Sequence, residues 1–475
     1  MSRSQMSVSP AMAVAALWRR ALVDVLVTGL LIAVGAAATC GSAKLMAAEA
    51  ATQLRLATFS CDVTPPLGGH PLIWITPAET IEDPLLAKGV IIEHDGQRYV
   101  LCAMDWCGLC NSTHRLLRDK IAAAAAAQPW QVALHTVHQH TAPYTDGDAQ
   151  KLLDKTSAPA RYVDQQFIDQ LAQRLSQTVR ESVGRLQPFD MVGIGQARVE
   201  QVASSRRIMV QGKLQMRMSS AKSAVLWALP EGDIDPMLKT ITLAVGDRPL
   251  VRLHFYATHP QSFYGDARVS ADVPGLARQR LQRKENVPQI YFTGCAGDVA
   301  MGKYNDGTPQ ARDELTERLY KAMEAAASAT RYQPVGQFQW RSVPLKLPLR
   351  EDRGYTLEDA LARLADQRLA PVDRVRAATR AAFALRADQP LEVAALRLGN
   401  VWMVFLPGEC MLEFQRFAQQ LRSQDFVAVA AYGDLGPGYI CTEKAFAEGG
   451  YEPTASHVAP RSEALLKAAI KDLLE

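Results

Sequence analysis

Short apolar runs, bounded by glycine, proline or polar turn residues, recur along the chain and predict β-strands. Some neighbouring runs are separated by a turn-forming pair, such as Asp95-Gly96, Gly246-Asp247 or Gly399-Asn400, which predicts β-hairpins. The predicted strands span residues 54–63, 87–93, 98–104, 131–136, 238–245, 250–256, 289–293, 391–398, 401–406 and 426–431.

Between these runs, apolar residues recur with the period of an α-helix. Because such helices alternate with strands and hairpins, the sequence predicts an α/β fold with a mixed β-sheet core layered with helices. The segment 204–227 is rich in Ser, Met and basic residues and follows neither period, so we expect a long excursion on the surface. The predicted helices span residues 113–127, 165–186, 273–283, 313–327, 355–387 with a break at Pro371, 411–422 and 462–474.

The first 50 residues differ from the rest of the chain. Arg19 and Arg20 precede an uncharged run over 25–43, and Ala48-Glu49-Ala50 offers small residues where a signal peptidase cuts. We therefore expect residues 1–50 to be an export signal and the protein to be periplasmic or secreted. A retained membrane anchor is the alternative, because the run approaches the length of a membrane span. Residues 51–475 are expected to form a single large catalytic domain.

Composition and cysteine content narrow the range of functions. Apolar residues make up 48% of the chain, charged residues 21%, and the formal charge is +3 without a basic block, so we expect no nucleic-acid partner. Cys40 would leave with the signal, and the remaining odd number of cysteines cannot pair completely. Cys107 and Cys110 form a Cys-x-x-Cys pair that lacks a second pair to complete a zinc site. We expect buried apolar cysteines and allow for one disulfide among them.

Polar residues that suit metal binding follow several of the predicted strands, where α/β proteins commonly carry catalytic groups. His138 and His140 come just after the run 131–136, and His259 comes after 250–256. Each also has an ordinary structural explanation, as a surface or hydrogen-bonded histidine. Two further candidates for metal binding also have ordinary structural explanations, one as a glutamate at the start of a helix and the other as a tyrosine of the core. They are Glu409, after Val404-Phe405-Leu406-Pro407-Gly408, and Tyr439, in Gly436-Pro437-Gly438-Tyr439.

The order of these segments along the chain resembles that of the neutral ceramidases. The resemblance spans residues 55–455 and corresponds to the catalytic domain alone, in a short ceramidase-like branch. It implies an enzyme that cleaves the amide bond of an N-acyl sphingoid. The matching segments are Asp62-Val63-Thr64-Pro65-Pro66, His138-x-His140, His259-Pro260, Gly294-Cys295-Ala296-Gly297-Asp298, Pro407-Gly408-Glu409, and Tyr439 with Tyr451-Glu452.

The resemblance implies one catalytic zinc ion bound by residues from distant parts of the chain. Zinc lowers the pKa of a bound water towards about 7 and polarises a carbonyl, which suits amide hydrolysis at neutral pH. The sequence does not determine whether a further, structural calcium or magnesium ion is bound. The implied zinc ligands are His138, His259, Glu409 and Tyr439.

Three more residues match catalytic positions of the family. His140, beside the metal, would shuttle a proton to the leaving amine. Arg206 and Tyr451 would stabilise the developing oxyanion. The family's Asn-Arg segment reads Ser205-Arg206-Arg207 here, so Arg207 is the alternative to Arg206.

One departure from the family pattern leaves the substrate open. Asp298-Val299 is followed by Ala300, where the ceramidases have serine, which favours water as the nucleophile. We expect a lipid-like N-acyl substrate, ceramide first and another amide as the alternative, and peripheral contact with a membrane surface. Two other kinds of function are alternatives to a zinc amidohydrolase. One is a binding protein that retains the fold without turnover, and the other is a thiol enzyme that uses Cys107 or Cys110.

Overall fold

The structure, a computed structural model, describes residues 54–221 and 223–475. The predicted export signal over 1–50 and Cys40 lie outside the described residues. Among the helices of the described ranges, none combines the length and the hydropathy that a membrane crossing requires. The described residues form an α/β fold with mixed sheets, which confirms the fold class predicted from the alternation of strands and helices.

The strands range from long core strands to two-residue bridges between loops. They are β1 Arg55–Asp62, β2 Thr80–Ile81, β3 Leu86–His94, β4 Gln97–Met104, β5 Gly108–Cys110, β6 Val132–Thr136, β7 Tyr144–Asp146, β8 Gln187–Pro188, β9 Met191–Arg198, β10 Ser204–Ser205, β11 Arg207–Val210, β12 Lys213–Met216, β13 Met237–Val245, β14 Arg248–Tyr256, β15 Arg268–Val269, β16 Gln289–Thr293, β17 Val299–Ala300, β18 Arg331–Pro334, β19 Phe338–Leu345, β20 Leu391–Leu398, β21 Val401–Phe405, β22 Glu409–Cys410, β23 Phe426–Ala430 and β24 Tyr439–Ile440.

Most of the helices carry apolar faces that pack on the sheets or on each other, whereas the short helix Ala224–Ala228 has no buried residue. The helices are α1 Asn111–Ala125, α2 Gly147–Leu153, α3 Gln165–Val183, α4 Ala224–Ala228, α5 Asp272–Glu285, α6 Pro309–Ser328, α7 Leu357–Ala365, α8 Pro371–Ala384, α9 Leu412–Leu421, α10 Glu443–Glu448, α11 Tyr451–Ala455 and α12 Ser462–Leu474.

The three larger sheets repeat one arrangement of neighbouring strands. Their strand orders are β6-β4-β3-β1-β8, β16-β14-β13-β9-β18 and β19-β20-β21-β23. In each, two sequential strands lie side by side, a helix follows, and the next core strand pairs in parallel with the second of them. The parallel pairs are β4 with β6, β14 with β16, and β21 with β23. Because the carboxyl ends of parallel strands open at the same sheet edge, the loops after them can converge on one site.

A buried ion pair supports the end of β4. Both guanidinium nitrogens Nη1 and Nη2 of Arg278, on α5, donate to the Asp105 carboxylate at 2.8 and 2.7 Å. Both side chains are fully buried, and Asp105 also accepts from the backbone N–H of Leu86 at 2.9 Å. The backbone carbonyl of Asp105 accepts from the Gln139 amide. The pair therefore joins α5 to the segment that precedes His138 and His140.

The segment 204–227 corrects one expectation from the sequence. Its hairpin β11–β12 and the short helix α4 are largely exposed, but Arg206 and Arg217 are buried. Burial of these charges is possible because their guanidinium groups donate to backbone carbonyl oxygens, those of Gly297 and Ser205 among them. The segment thus passes through the interior beside the predicted metal ligands, and only part of it is a surface excursion.

Candidate metal centre and active-site pocket

Strand ends bring the predicted metal ligands together. His138 follows β6, His259 follows β14, and Glu409 begins β22 directly after β21. The parallel pairing of β22 with β24 places Glu409 opposite Tyr439. His138, His259, Glu409 and Tyr439 are all buried. Four residues that are distant in the sequence therefore share one location in the fold.

The four ligand atoms form a compact group. Nε2 of His138 and Nε2 of His259 are 3.2 Å apart. Oε2 of Glu409 lies 3.3 Å from the first of these atoms and 3.0 Å from the second. The Tyr439 hydroxyl lies 3.3 Å from Nε2 of His259. Ligands about 2.0–2.1 Å from a tetrahedral zinc ion are about 3.3 Å from each other, so the donor set and its spacing fit such an ion.

Backbone carbonyls fix the orientation of both imidazole rings. Nδ1 of His138 lies 2.5 Å from the carbonyl oxygen of Cys107, and Nδ1 of His259 lies 2.6 Å from that of Ala296. Because a carbonyl oxygen can only accept, Nδ1 carries the proton and Nε2 of the neutral ring presents its lone pair. Two such lone pairs face the carboxylate oxygen of Glu409. Three electron-rich atoms in contact are the arrangement that a cation satisfies.

Electrostatics at the centre agree with that donor role. Burial would raise the pKa of the Glu409 carboxyl, but the facing rings of His138 and His259 outweigh burial and hold that pKa well below its usual range. Burial, followed by the charge of Arg206, lowers the pKa of His259 to about 4. An ionised carboxylate and a neutral imidazole are the protonation states in which these side chains bind a metal.

Two glycines let the segments around the centre approach each other closely. A Cβ at Gly297 would lie 2.6 Å from the carbonyl oxygen of Glu409. Gly438 has φ +65°, and a Cβ there would lie 2.5 Å from the carbonyl oxygen of Ala455. A larger residue at either position would displace the backbone that carries Glu409 or Tyr439.

The three residues predicted to be catalytic border the ligand atoms. The ring of His140 stands perpendicular to that of His138, with centroids 5.0 Å apart. No described residue provides a hydrogen-bond partner for either ring nitrogen of His140. Nη1 of Arg206 donates to the Tyr439 hydroxyl at 2.8 Å, and its guanidinium lies 5.6 Å from the ring centroid of Tyr451. The structure therefore gathers all seven predicted site residues.

The protonation states of two of these residues follow from their surroundings. Burial, and secondly the neighbouring histidines, holds the pKa of His140 well below its usual value, so the ring is neutral at neutral pH. Loss of solvation in the pocket, and secondly the charge of Glu409, raise the pKa of Tyr451 to about 12, although the positive charge of Arg206 and, less strongly, that of Arg376 act in the opposite direction. The Tyr451 hydroxyl therefore remains a hydrogen-bond donor at neutral pH.

The centre opens into a pocket of about 530 Å³. Glu409 and His138 form part of its wall, and Tyr264 lies at its more exposed side. Apolar side chains, including Ile73 and Trp74, form another part of the wall. A ligand in this pocket would reach the metal centre and the three predicted catalytic side chains at once.

Arg206, and not Arg207, is the arginine of the pocket. Arg207 donates to the carboxylates of Glu448 and Glu452 at 3.0 and 2.8 Å. Arg206 lines the pocket, and its Nε has no hydrogen-bond partner among the described residues. The alternative assignment considered from the sequence is therefore less consistent with the geometry.

Two contributions to the site were missed from the sequence. The ring of Tyr432 stacks on His138 with centroids 4.3 Å apart, and its hydroxyl lies 3.3 Å from Nδ1 of His259. Tyr432 comes just after β23, so the rule that located the histidines at strand ends also applies to it. Ser220 lines the pocket from within the segment 204–227. No periodicity or motif in that segment pointed to such a role.

The cysteines of the described residues are all buried and unpaired. Burial raises the pKa of the Cys107 and Cys110 thiols well above the usual value. A nucleophilic cysteine requires the thiolate, which burial disfavours. These thiols therefore lack the properties of the thiol enzyme considered from the sequence.

Iodoacetamide should leave the native protein intact and its activity unchanged over a time in which a small free thiol is fully alkylated. The reason is that alkylation requires both access and a thiolate, and Cys107 and Cys110 have neither. Mass spectrometry of native and urea-unfolded samples gives the number of alkylated sites. Rapid native alkylation of Cys107 together with loss of activity would contradict this expectation.

Known proteins similar to this chain are found at the level of structure. The neutral ceramidase from Pseudomonas aeruginosa matches with a TM-score of 0.66 and 15% sequence identity, covering 89% of this chain and 74% of that chain. A ceramidase complexed with C2 matches with a TM-score of 0.64 and 14% identity, covering 89% and 75%. No family model and no curated protein matches the sequence. The chain thus has a neutral-ceramidase-like fold, as the order of its motifs predicted.

Proposed function

We propose that this protein is a metal-dependent hydrolase that cleaves the amide bond of a lipid-like N-acyl compound, with one zinc ion at the centre. The observation that carries the proposal is the convergence of His138, His259, Glu409 and Tyr439 at distances that suit one tetrahedral cation. A pocket that also contains unpartnered catalytic-type side chains opens directly onto this centre.

In an amide hydrolysis, the metal centre would activate water, and the side chains of the pocket would stabilise the oxyanion and transfer the proton. A zinc ion at this centre would supply a Lewis acid and a water activated at neutral pH. Arg206 and Tyr451 would donate hydrogen bonds to the carbonyl oxygen as it gains negative charge. The neutral His140 ring would take up a proton and pass it to the leaving amine.

The proposed nucleophile is water. Ala300, which replaces the serine of the ceramidases, has no hydroxyl group, and it lies beside the metal centre in a bridge with His259. Its backbone carbonyl accepts from Ser204 Oγ at 3.0 Å, so that hydroxyl is committed to a structural contact. No other covalent nucleophile is required, because an activated water suffices for hydrolysis.

A ceramide-like N-acyl lipid is the first substrate to test, since both structurally similar proteins are described as ceramidases. Another N-acyl amide is the alternative. Export by the segment 1–50 and contact with a membrane surface stay predictions from the sequence.

The proposal is tested by metal analysis and turnover on the same preparation. Purified protein should contain about one zinc ion per chain by mass spectrometry and should hydrolyse a fluorescent N-acyl sphingosine or a panel of other N-acyl amides. Activity should disappear with a chelator and return with zinc. Stoichiometric zinc without hydrolysis of any amide would favour a binding protein that retains the fold.

Replacing Arg206 by lysine should lower kcat by about 10²- to 10³-fold while zinc content stays unchanged. Lysine keeps the charge but loses the planar set of N–H donors, in which Nη1 contacts the Tyr439 hydroxyl and the Gly297 carbonyl while Nε has no partner among the described residues. The matched control is Arg207→Lys, which alters the neighbouring guanidinium outside the pocket. Equal kcat values for the two variants would remove Arg206 from the proposed mechanism.

A further inference from the structure

The pocket contains a second guanidinium that the proposed hydrolysis does not use. Arg376 lies on α8 and lines the pocket, and its side chain is 49% exposed. It donates to Asp373, three residues earlier on the same helix, at 3.3 Å. An exposed pair of this kind contributes at most about 1 kcal/mol. The guanidinium is therefore available to a stronger partner.

An aromatic platform holds the Arg376 guanidinium in place. The group lies 4.7 Å from the ring centroid of Trp74, which stacks on Tyr144 with centroids 5.5 Å apart. Trp74 and Ile75 have φ values of 55° and 59°, which are strained for residues with side chains. Such strain persists where the surrounding structure imposes it, here in a turn that presents the indole to the pocket. A guanidinium held over an indole ring still has N–H groups that can donate to an anion.

The other charged side chains of the pocket wall have strong partners of their own. Arg206 contacts the Tyr439 hydroxyl, and Glu409 faces the two histidines of the metal centre. Asp266 accepts from both the backbone N–H and Nε of Arg268, at 2.9 and 2.7 Å. Among the charged side chains that line this pocket in the described residues, Arg376 has the weakest partner.

The pocket wall also contains a polar group that a purely hydrocarbon ligand would leave unsatisfied. Ser220 Oγ is buried at the pocket and has no hydrogen-bond partner in the described ranges. A buried hydroxyl without a partner is unfavourable, and a polar substrate group would relieve this cost. Ser220 therefore points, independently of Arg376, to a ligand with polar groups in the pocket.

We propose that Arg376 binds an anionic group of the substrate, a carboxylate or a phosphate, so that the preferred substrates are anionic N-acyl amides and not neutral ceramide. The inference rests on the proposed amide hydrolysis and names the substrate class of that same site. A charge-assisted hydrogen bond to a guanidinium corresponds to a preference of about 10- to 100-fold over a neutral isostere.

The test compares matched pairs of substrates that differ in one charge. The first pair is an N-acyl amino acid and its methyl ester, and the second is an N-acyl aminoalkyl phosphate and the corresponding alcohol. The wild-type enzyme should show a KM about 10- to 100-fold lower for the anionic member of at least one pair. The pair with the larger difference identifies the anion as carboxylate or phosphate.

Arg376→Gln should abolish this difference, because it should raise KM for the anionic member about 10- to 100-fold more than for the neutral member. Arg376→Lys should restore part of the preference, because it restores the charge without the planar fork. The control is Arg368→Gln, which removes a 90% exposed arginine from the loop before α8. Since Arg376 is half-exposed, these variants should keep the wild-type melting temperature.

Two failures are distinguishable. Hydrolysis with the same KM for neutral and anionic members, or an equal effect of Arg376→Gln on both, would overturn the inference and leave the hydrolase proposal standing. If no amide is cleaved, the hydrolase proposal fails. In that case, calorimetry measures the affinity of wild type and of Arg376→Gln for both members of each pair. Tighter binding of the anionic member by wild type but not by the variant supports the proposed anion site. Equal affinities of wild type for the two members reject it.

Discussion

If the proposed zinc hydrolysis is correct, Glu409→Gln should abolish zinc binding and lower amide hydrolysis by at least about 10³-fold. Glutamine keeps the shape of the side chain but replaces a carboxylate that lies 3.0 and 3.3 Å from the two imidazole nitrogens. Zinc binding requires the negative charge to balance the cation and prefers an anionic oxygen to a neutral amide. Zinc per chain is measured by mass spectrometry, and turnover is measured on the amide that the wild type cleaves best.

The control for this prediction is Glu413→Gln, on the first turn of α9. Glu413 pairs with Lys467 on the surface at 2.8 Å, so its loss should change neither zinc content nor kcat. His138→Ala should behave like Glu409→Gln, because it removes another of the converging donors. A Glu409→Gln enzyme that is active and free of zinc would refute the ligand assignment.

Arg278→Met will lower the free energy of unfolding by about 3–5 kcal/mol. The change leaves the Asp105 carboxylate, which is fully buried, without the two guanidinium hydrogen bonds that compensate its charge. Removing one partner of a buried pair costs more than the pair contributes, because the remaining charge has lost its solvation. Urea unfolding followed by circular dichroism measures the difference.

A surface pair two residues further on the same helix provides the comparison. Arg280 contacts Glu317, but both side chains are partly exposed, so Arg280→Met should cost less than about 1 kcal/mol. The double variant Arg278→Met with Asp105→Asn should recover part of the stability, since it removes the stranded charge. Equal losses for Arg278→Met and Arg280→Met would show that burial does not control the energy of the inner pair.

The predicted elements with a clear hydrophobic period agree with the structure to within a few residues. The run 289–293 corresponds to β16, and the helix over 462–474 corresponds to α12. The strand could be predicted because it is a short continuous apolar run, buried on both faces, and the helix because its apolar residues recur with the helical period.

Two long strands were missed, and both depend on neighbours distant in the sequence. β9 contains Gly193 and Gly195, which disfavour strands, but a Cβ at Gly195 would lie 2.0 Å from the Ala326 carbonyl of the helix packed on it. β19 lies at the edge of its sheet, contains Pro344 and is mostly half-buried, so it shows no regular alternation.

In the candidate site, too, some features could be predicted from the sequence and others depended on tertiary contacts. Residues at strand ends, such as His138, His259 and Glu409, could be selected from the sequence because the rule that places them is local. The approach of Arg206 to Tyr439 depended on a segment predicted to lie at the surface, and no periodicity suggested that it would be buried.

By itself, the sequence determined the alternation of strands and helices and the positions of polar residues after apolar runs, since both follow from side-chain periodicity over a few residues. Only the tertiary structure decided that Nε2 of His138, Nε2 of His259 and Oε2 of Glu409 meet within 3.3 Å, and that Arg376 lies over Trp74 in the same pocket. Those contacts depend on the register of three parallel strand pairs and on helix packing across the chain. Strand pairing fixes the first of these contacts and helix packing the second, and both join segments that are distant in the sequence.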